Sequence, residues 1–185
     1  MISFTGNLIH YTDVLKRTKG NLYSKEKVAF VELDMTSPND HKFINSISDS
    51  WKYFTDYVDV MCVNFNWYHK NPEAPKPPRI FALTEQLDSF DRLDHKKALG
   101  LVQTNVGLAN NIDIELLQTN PDYINHNRRS DIKYIGTTIL DSIKELFKGE
   151  QLTVYSVEDA LPFYLKNKFR PRHNLDKGRN LSYKA

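Results

Sequence analysis

Along this chain the apolar positions switch between a period of two and a period near 3.6, and each switch marks a predicted element. Lys27-Val-Ala-Phe-Val-Glu-Leu-Asp34 reads as a first strand. After Thr36-Ser37-Pro38, where Pro38 suits a first helical turn, Phe43, Ile44, Ile47, Trp51 and Phe54 recur three or four apart. That stripe predicts a core-facing helix to about Tyr57. Asn66 to Pro78 holds four prolines, which fix φ and lack an N–H, so it predicts an extended loop. Trp67, Tyr68 and His69 at its start could line a binding site or simply pack. Strands follow at Arg79–Thr84, Lys97–Thr104 and Ile112–Thr119.

The stretch Lys133 to Phe169 carries the most chemistry. From Gly136, the residues Ile139, Leu140, Ile143, Leu146 and Phe147 mark one apolar helical face, with Asp141, Lys144, Glu145 and Lys148 opposite, and Gly149 ends the run. Gln151–Val157 is a short β-branched strand, a short helix carries Phe163 and Tyr164, and Asn180–Tyr183 supplies a last strand. A helix that opens at a glycine presents unpaired N–H groups and the positive end of its dipole, which suits an anion such as a diphosphate. Arg128, Arg129 and Lys133 precede that glycine and could sit near phosphates.

From about Lys97 to Phe169 the chain resembles the GNAT family of N-acetyltransferases. Three motifs carry the resemblance: Thr119-Asn120-Pro121 at a strand end, Ile135-Gly136-Thr137-Thr138-Ile139-Leu140 at the phosphate loop, and Ala160-Leu-Pro-Phe163-Tyr164 continuing to Phe169. Tyr134 stands where the family has the loop's first glycine, Asp131 where it has Arg or Gln, Val157 where many relatives have asparagine, and Lys168 where the last motif has glycine. Ser156 is the polar neighbour able to substitute for that asparagine. Asp122 to Asp131 lengthens the connection.

The resemblance implies an α/β (α+β) fold: a mixed, mainly antiparallel central sheet flanked by helices and split to receive acetyl-CoA, in a single domain over residues 1–185. It implies transfer of an acetyl group from acetyl-CoA to a primary amine of an unidentified acceptor. Backbone N–H groups around Leu117 and Thr119 would hold the pantetheine arm, and the loop Lys133, Tyr134, Ile135, Gly136, Thr137, Thr138 the diphosphate. Tyr164 would protonate the departing thiolate; a phenol of pKa about 10 can do this when held close. Its bland alternative is a core aromatic.

A base is needed as well, because the attacking amine must lose a proton. On a regular strand Ile112, Ile114 and Leu116 share one face and Asp113, Glu115 and Leu117 the other, which makes Glu115 the first candidate and Asp113 the second. Glu115 could equally be a solvent-facing acid, with a bound water serving instead. A non-catalytic GNAT-like binding or regulatory module is the alternative function.

Composition narrows the picture further. The chain has 185 residues, 40% hydrophobic and 26% charged, with a formal charge of +2. Such a chain suits one core and exerts no strong pull on nucleic acid or membrane. The basic residues between Lys166 and Arg179 could meet RNA, although a solvated surface accounts for them as well. The lone cysteine, Cys62, sits in an apolar setting and reads as a buried thiol in a reducing cytoplasm. Six scattered histidines lack zinc-site spacing, so no metal is expected. No run approaches the ~20 apolar residues of a membrane span. An exposed final strand could support a homodimer.

Overall fold

The computed structural model describes residues 6–51, 56–74, 76–107, 111–124, 131–172 and 179–184. Phe54, Arg128 and Arg129, named above, lie outside these, as do His126 and His173 among the six histidines and Lys177 in the basic stretch. The elements run β1 (Asn7–Arg17), β2 (Tyr23–Glu32), α1 (Pro38–Trp51), α2 (Asp56–Lys70), β3 (Arg79–Thr84), β4 (Ala98–Val106), β5 (Ile112–Thr119), β6 (Ile132–Lys133), α3 (Ile135–Leu146), β7 (Gln151–Tyr155), α4 (Leu161–Lys166), β8 (Arg170–Pro171) and β9 (Asn180–Lys184).

The strands form one sheet in the order β6-β1-β2-β3-β4-β5-β7-β9-β8. Neighbours pair antiparallel except β5 and β7, which pair parallel. Both sheet faces are covered in the middle, and this explains why Val28–Val31 of β2 and Ile80–Leu83 of β3 are unbroken apolar runs rather than alternating ones. Phe30, Phe81, Leu83 and Leu99 pack against Ile139, Leu140 and Ile143 of α3. Ala29, Val31, Ile80, Ala82 and Leu101 pack on the other face against Phe43, Ile44 and Ile47 of α1 and Met61 and Phe65 of α2.

Local chemistry sets the helix ends. Ser37 Oγ accepts the Asp40 N–H at 3.2 Å, capping α1 ahead of Pro38. Helix α3 ends at Leu146, and Gly149 takes φ +96° in the turn after it.

Several expectations are corrected. α1 is described over Pro38–Trp51, residues 52–55 of the helix expected to about Tyr57 lie outside the described residues, and a second helix, α2, spans Asp56–Lys70. Its buried residues Val58, Met61, Cys62 and Phe65 fall at i, i+3, i+4 and i+7, a helical stripe, and the helix itself continues to Lys70 in the segment read as loop. Trp67, Tyr68 and His69 therefore lie on a helix. Trp51 is a core residue, 4% exposed. β9 is not the sheet edge, because β8 pairs outside it at Ser182 and Leu181. Strand β1 was not anticipated: Val14 is its only buried apolar residue among those described, so it carries little pattern.

Cys62 is buried, as expected; its thiol donates to Asn45 Oδ1 at 3.3 Å, and burial pushes its pKa up. Among the described residues no three His, Cys, Asp or Glu side chains group as metal ligands, and no helix is long and apolar enough to cross a membrane.

Candidate active site

The site is set by an irregularity in β5. Gln103 pairs with Leu116 and Thr104 with Ile114, so Glu115 is an extra residue bulged out of the β4–β5 ladder. A bulge reverses the alternation beyond it. Ile112 and Ile114 pack on the α3 side, yet it is Leu117 that continues that face, while Leu116 turns to the α1–α2 side. The expected grouping of Leu116 with Ile112 and Ile114 is thereby overturned.

The parallel ladder between β5 and β7 covers Ile112–Leu152, Asp113–Thr153 and Ile114–Val154 only. Beyond it β5 runs on from Glu115 to Thr119 without pairing to β7. The Asn120 N–H donates across to Leu99 C=O on the β4 side at 2.8 Å. By alternation the main-chain groups of Leu117 and Thr119 point the other way, along the side that β7 has left. Gln118 Nε2 donates to the Thr119 carbonyl there at 2.7 Å.

At the far end of that edge lies the start of α3. The Thr138 N–H makes the first intrahelical bond, to Tyr134 C=O at 2.8 Å, so the N–H groups of Ile135, Gly136 and Thr137 precede it and no side chain among the described residues caps them. Tyr134 holds φ +66°, a left-handed conformation that glycine takes without cost. The backbone at Tyr134 thus has a glycine-type conformation at the place where the resembled loop has its first glycine.

A cavity of about 380 Å³ opens here, lined by Thr119, Tyr123, Lys133, Phe163, Lys166 and the segment Tyr134–Thr137. Six of the expected cofactor residues meet in it. Thr138 does not: its N–H is used within the helix, and its Oγ1 donates to Asp13 C=O at 3.3 Å. Leu117 packs its side chain into the α3 core and can offer only main chain. Gly136 is small for a second reason, since a Cβ there would stand 3.1 Å from the Phe163 ring. Lys133 Nζ lies 4.1 Å over the Tyr23 ring. With Arg17 it holds the Tyr23 phenol below its usual pKa, hydrogen bonding to Lys133 being the larger cause.

Glu115 faces a different space. A cavity of about 630 Å³ is lined by Glu115, Asp113, Tyr155, Arg172, Asn180 and neighbouring apolar side chains, including Val60 of α2. Glu115 Oε2 accepts from Gln103 Nε2 at 2.6 Å, and Gln103 Oε1 accepts from Asn64 Nδ2 at 3.1 Å. Gln103 is 1% exposed. This relay from α2 was missed in the sequence, although a glutamine inside the apolar run of β4 was its signal. Asp113 accepts the Thr153 hydroxyl.

Tyr164 lines neither cavity. It packs edge-on against Phe163 and Phe169, and its hydroxyl makes no hydrogen bond among the described residues. Burial, assisted by Tyr57 of α2, raises its pKa to about 12. Ser156 is unavailable as a stand-in for asparagine: it is buried, and its Oγ donates to Val157 C=O at 2.8 Å. His69 is engaged too, with Nδ1 2.6 Å from Met35 C=O and its ring stacked on His41.

No family profile matches the sequence, and no curated protein matches it. Among solved structures, the chain is similar to a crystal structure of a Desulfovibrio desulfuricans protein assigned to the GNAT acetyltransferases, with a TM-score of 0.53 and 16% identity. The match covers 84% of this chain and 94% of that one. At that identity the likeness shows the fold alone: a GNAT-like mixed sheet with helices on both faces.

Proposed function

We propose that the protein is an N-acetyltransferase that moves an acetyl group from acetyl-CoA to a primary amine by direct transfer. The observation that carries this reading is the parting of β5 from β7 after Ile114, in line with the uncapped start of α3. The N–H groups of Leu117 and Thr119 would hold the pantetheine arm. Those of Ile135, Gly136 and Thr137, with the helix dipole behind them, would hold the diphosphate. Lys133 and Lys166, which line the same cavity, add positive charge.

In the transfer itself the amine nitrogen bonds to the thioester carbon, the C–S bond breaks, and the amine loses one proton. Glu115, fixed by Gln103, takes that proton directly or through a water. In this reading Tyr164, buried beside Phe163, is the group that would meet the departing sulfur. At a pKa of about 12 it is fully protonated at neutral pH. Giving its proton completely to a thiolate of ordinary pKa ~8.5 would be uphill by about 5 kcal/mol. Its contribution is therefore a hydrogen bond that strengthens as charge builds on sulfur. Because the thioester is already activated, holding amine and carbonyl together supplies much of the rate.

A second reading, a non-catalytic module that keeps the cofactor, is favoured by Tyr134 in place of glycine and by Glu115 and Tyr164 lining no common cavity. Thiol release over a panel of primary amines separates the two. The catalytic reading expects release that needs both acetyl-CoA and an amine; binding of acetyl-CoA with no release over background from any amine would favour the module.

A further inference from the structure

We propose that the acceptor carries an anionic group as well as its amine, and that Arg172 holds that group while Glu115 receives the amine. The inference rests on the acetyl-transfer reading and names the substrate class of the same site. Val154 pairs with both Ile114 and Leu181, and Leu181 pairs with Pro171. One residue further along, Glu115, Tyr155, Asn180 and Arg172 therefore stand at one level across four neighbouring strands. The Arg172 N–H donates to Asn180 C=O at 2.8 Å and fixes the last of these positions.

Their face follows from alternation. Ile114, Val154 and Leu181 point into the core beneath α3, so Tyr155, Asn180 and Arg172 point to the opposite face, the side on which α2 lies. Helices α1 and α2 cover that face over β2 to β4. Val60 forms the wall where their cover stops, and the cavity of about 630 Å³ occupies the open remainder.

The charges in this cavity are of both signs and are separated. Asp113 and Glu115 lie on β5, whereas Arg172 is three strand spacings away, about 14 Å between main chains. Glu115 is held by Gln103 and Asp113 by Thr153. No ion pair among the described residues engages the Arg172 guanidinium. A simple monoamine would leave this planar donor unused, and a diamine would bring a second cation toward it. A carboxylate or phosphate presents the acceptor geometry that a guanidinium pairs with in two parallel bonds. Tyr155, 61% exposed and with the Arg179 guanidinium 5.0 Å over one face of its ring, stands between the two ends.

The test is calorimetric titration of the full chain, without acetyl-CoA, with ω-amino acids of increasing length and with the alkylamine and diamine matched to each. At least one amino acid should bind tenfold or more tightly than its matched alkylamine and diamine. R172Q should abolish that difference and R172K should retain part of it, with thermal melts showing both variants folded. Equal or tighter binding of the alkylamines or diamines, no binding in any series, or an unchanged preference in R172Q would each overturn the assignment. A parallel titration with acetyl-CoA keeps the two ideas apart: its failure refutes the acetyl-transfer reading, whereas the amino-acid preference is judged from its own series.

Discussion

At the scale of single residues, the candidate site depends on how three polar groups are held. Tyr164 is kept protonated by burial, with a pKa of about 12. Tyr164→Phe removes only the hydroxyl, so turnover should fall by about tenfold to a hundredfold, while acetyl-CoA affinity stays within twofold. Steady-state kinetics beside calorimetry checks this, and an unchanged turnover would remove Tyr164 from the chemistry. Gln103 acts at one remove, by orienting Glu115 through a 2.6 Å bond. Gln103→Leu should lower kcat with little change in acceptor KM, and Gln103→Glu should not rescue it, because a second carboxylate would face Glu115. A drop in kcat that merely tracks loss of folded protein would identify Gln103 as structural. Gly136 shows how one residue serves two ends, since the lack of a side chain both exposes its N–H and seats the Phe163 ring.

At the scale of elements, legibility in the sequence followed burial. β3 and β5 were readable at their full bounds and α3 within a residue or two, because each has a face or a pair of faces pressed into the core. β1 lies near the sheet edge with mixed exposure and left no pattern. α2 was hidden by the proline cluster after it, which drew Asn66 to Lys70 into a loop although the stripe Val58, Met61, Cys62, Phe65 was present. The bulge at Glu115 could not have been read, because an inserted residue shows itself only against the partner strand. It turned a correct strand into a wrong face for Leu116 and Leu117. The phase of α2 has a direct check. Met61→Ala, in the fully buried stripe, should cost about 2–5 kcal/mol, and Val63→Ala, at a position 65% exposed, should stay within about 0.5 kcal/mol. Urea unfolding measures both, and the opposite order would put the helix in another phase.

At the scale of the whole molecule, one buried carboxylate ties distant segments together. Asp40 is fully buried at the start of α1, where its Oδ2 accepts the Gly6 N–H at 2.9 Å and the Asp34 N–H at 2.8 Å, while Oδ1 has no partner among the described residues. Burial outweighs these two bonds and raises its pKa from 3.8 to about 6. The folded state thus binds this proton more tightly than the unfolded chain does. The resulting stability is fully present below about pH 4 and is lost as pH rises through about 6, by up to about 3 kcal/mol. Asp40→Asn keeps the accepting oxygen and removes the charge. Relative to the parent, its melting temperature should therefore rise more at pH 7.5 than at pH 4; an equal change at both would show that Asp40 does not titrate in this range.

The sheet places two cavities on opposite sides of the gap where β5 and β7 part, and the central claim is that this gap receives a thioester whose diphosphate rests on α3. The most direct measurement follows the backbone amide signals of the full chain during titration with acetyl-CoA. Saturable binding below millimolar concentration is predicted, with the largest shifts at Ile135, Gly136, Thr137, Leu117 and Thr119. Absence of binding, or saturation with those five amides unmoved, would contradict the account.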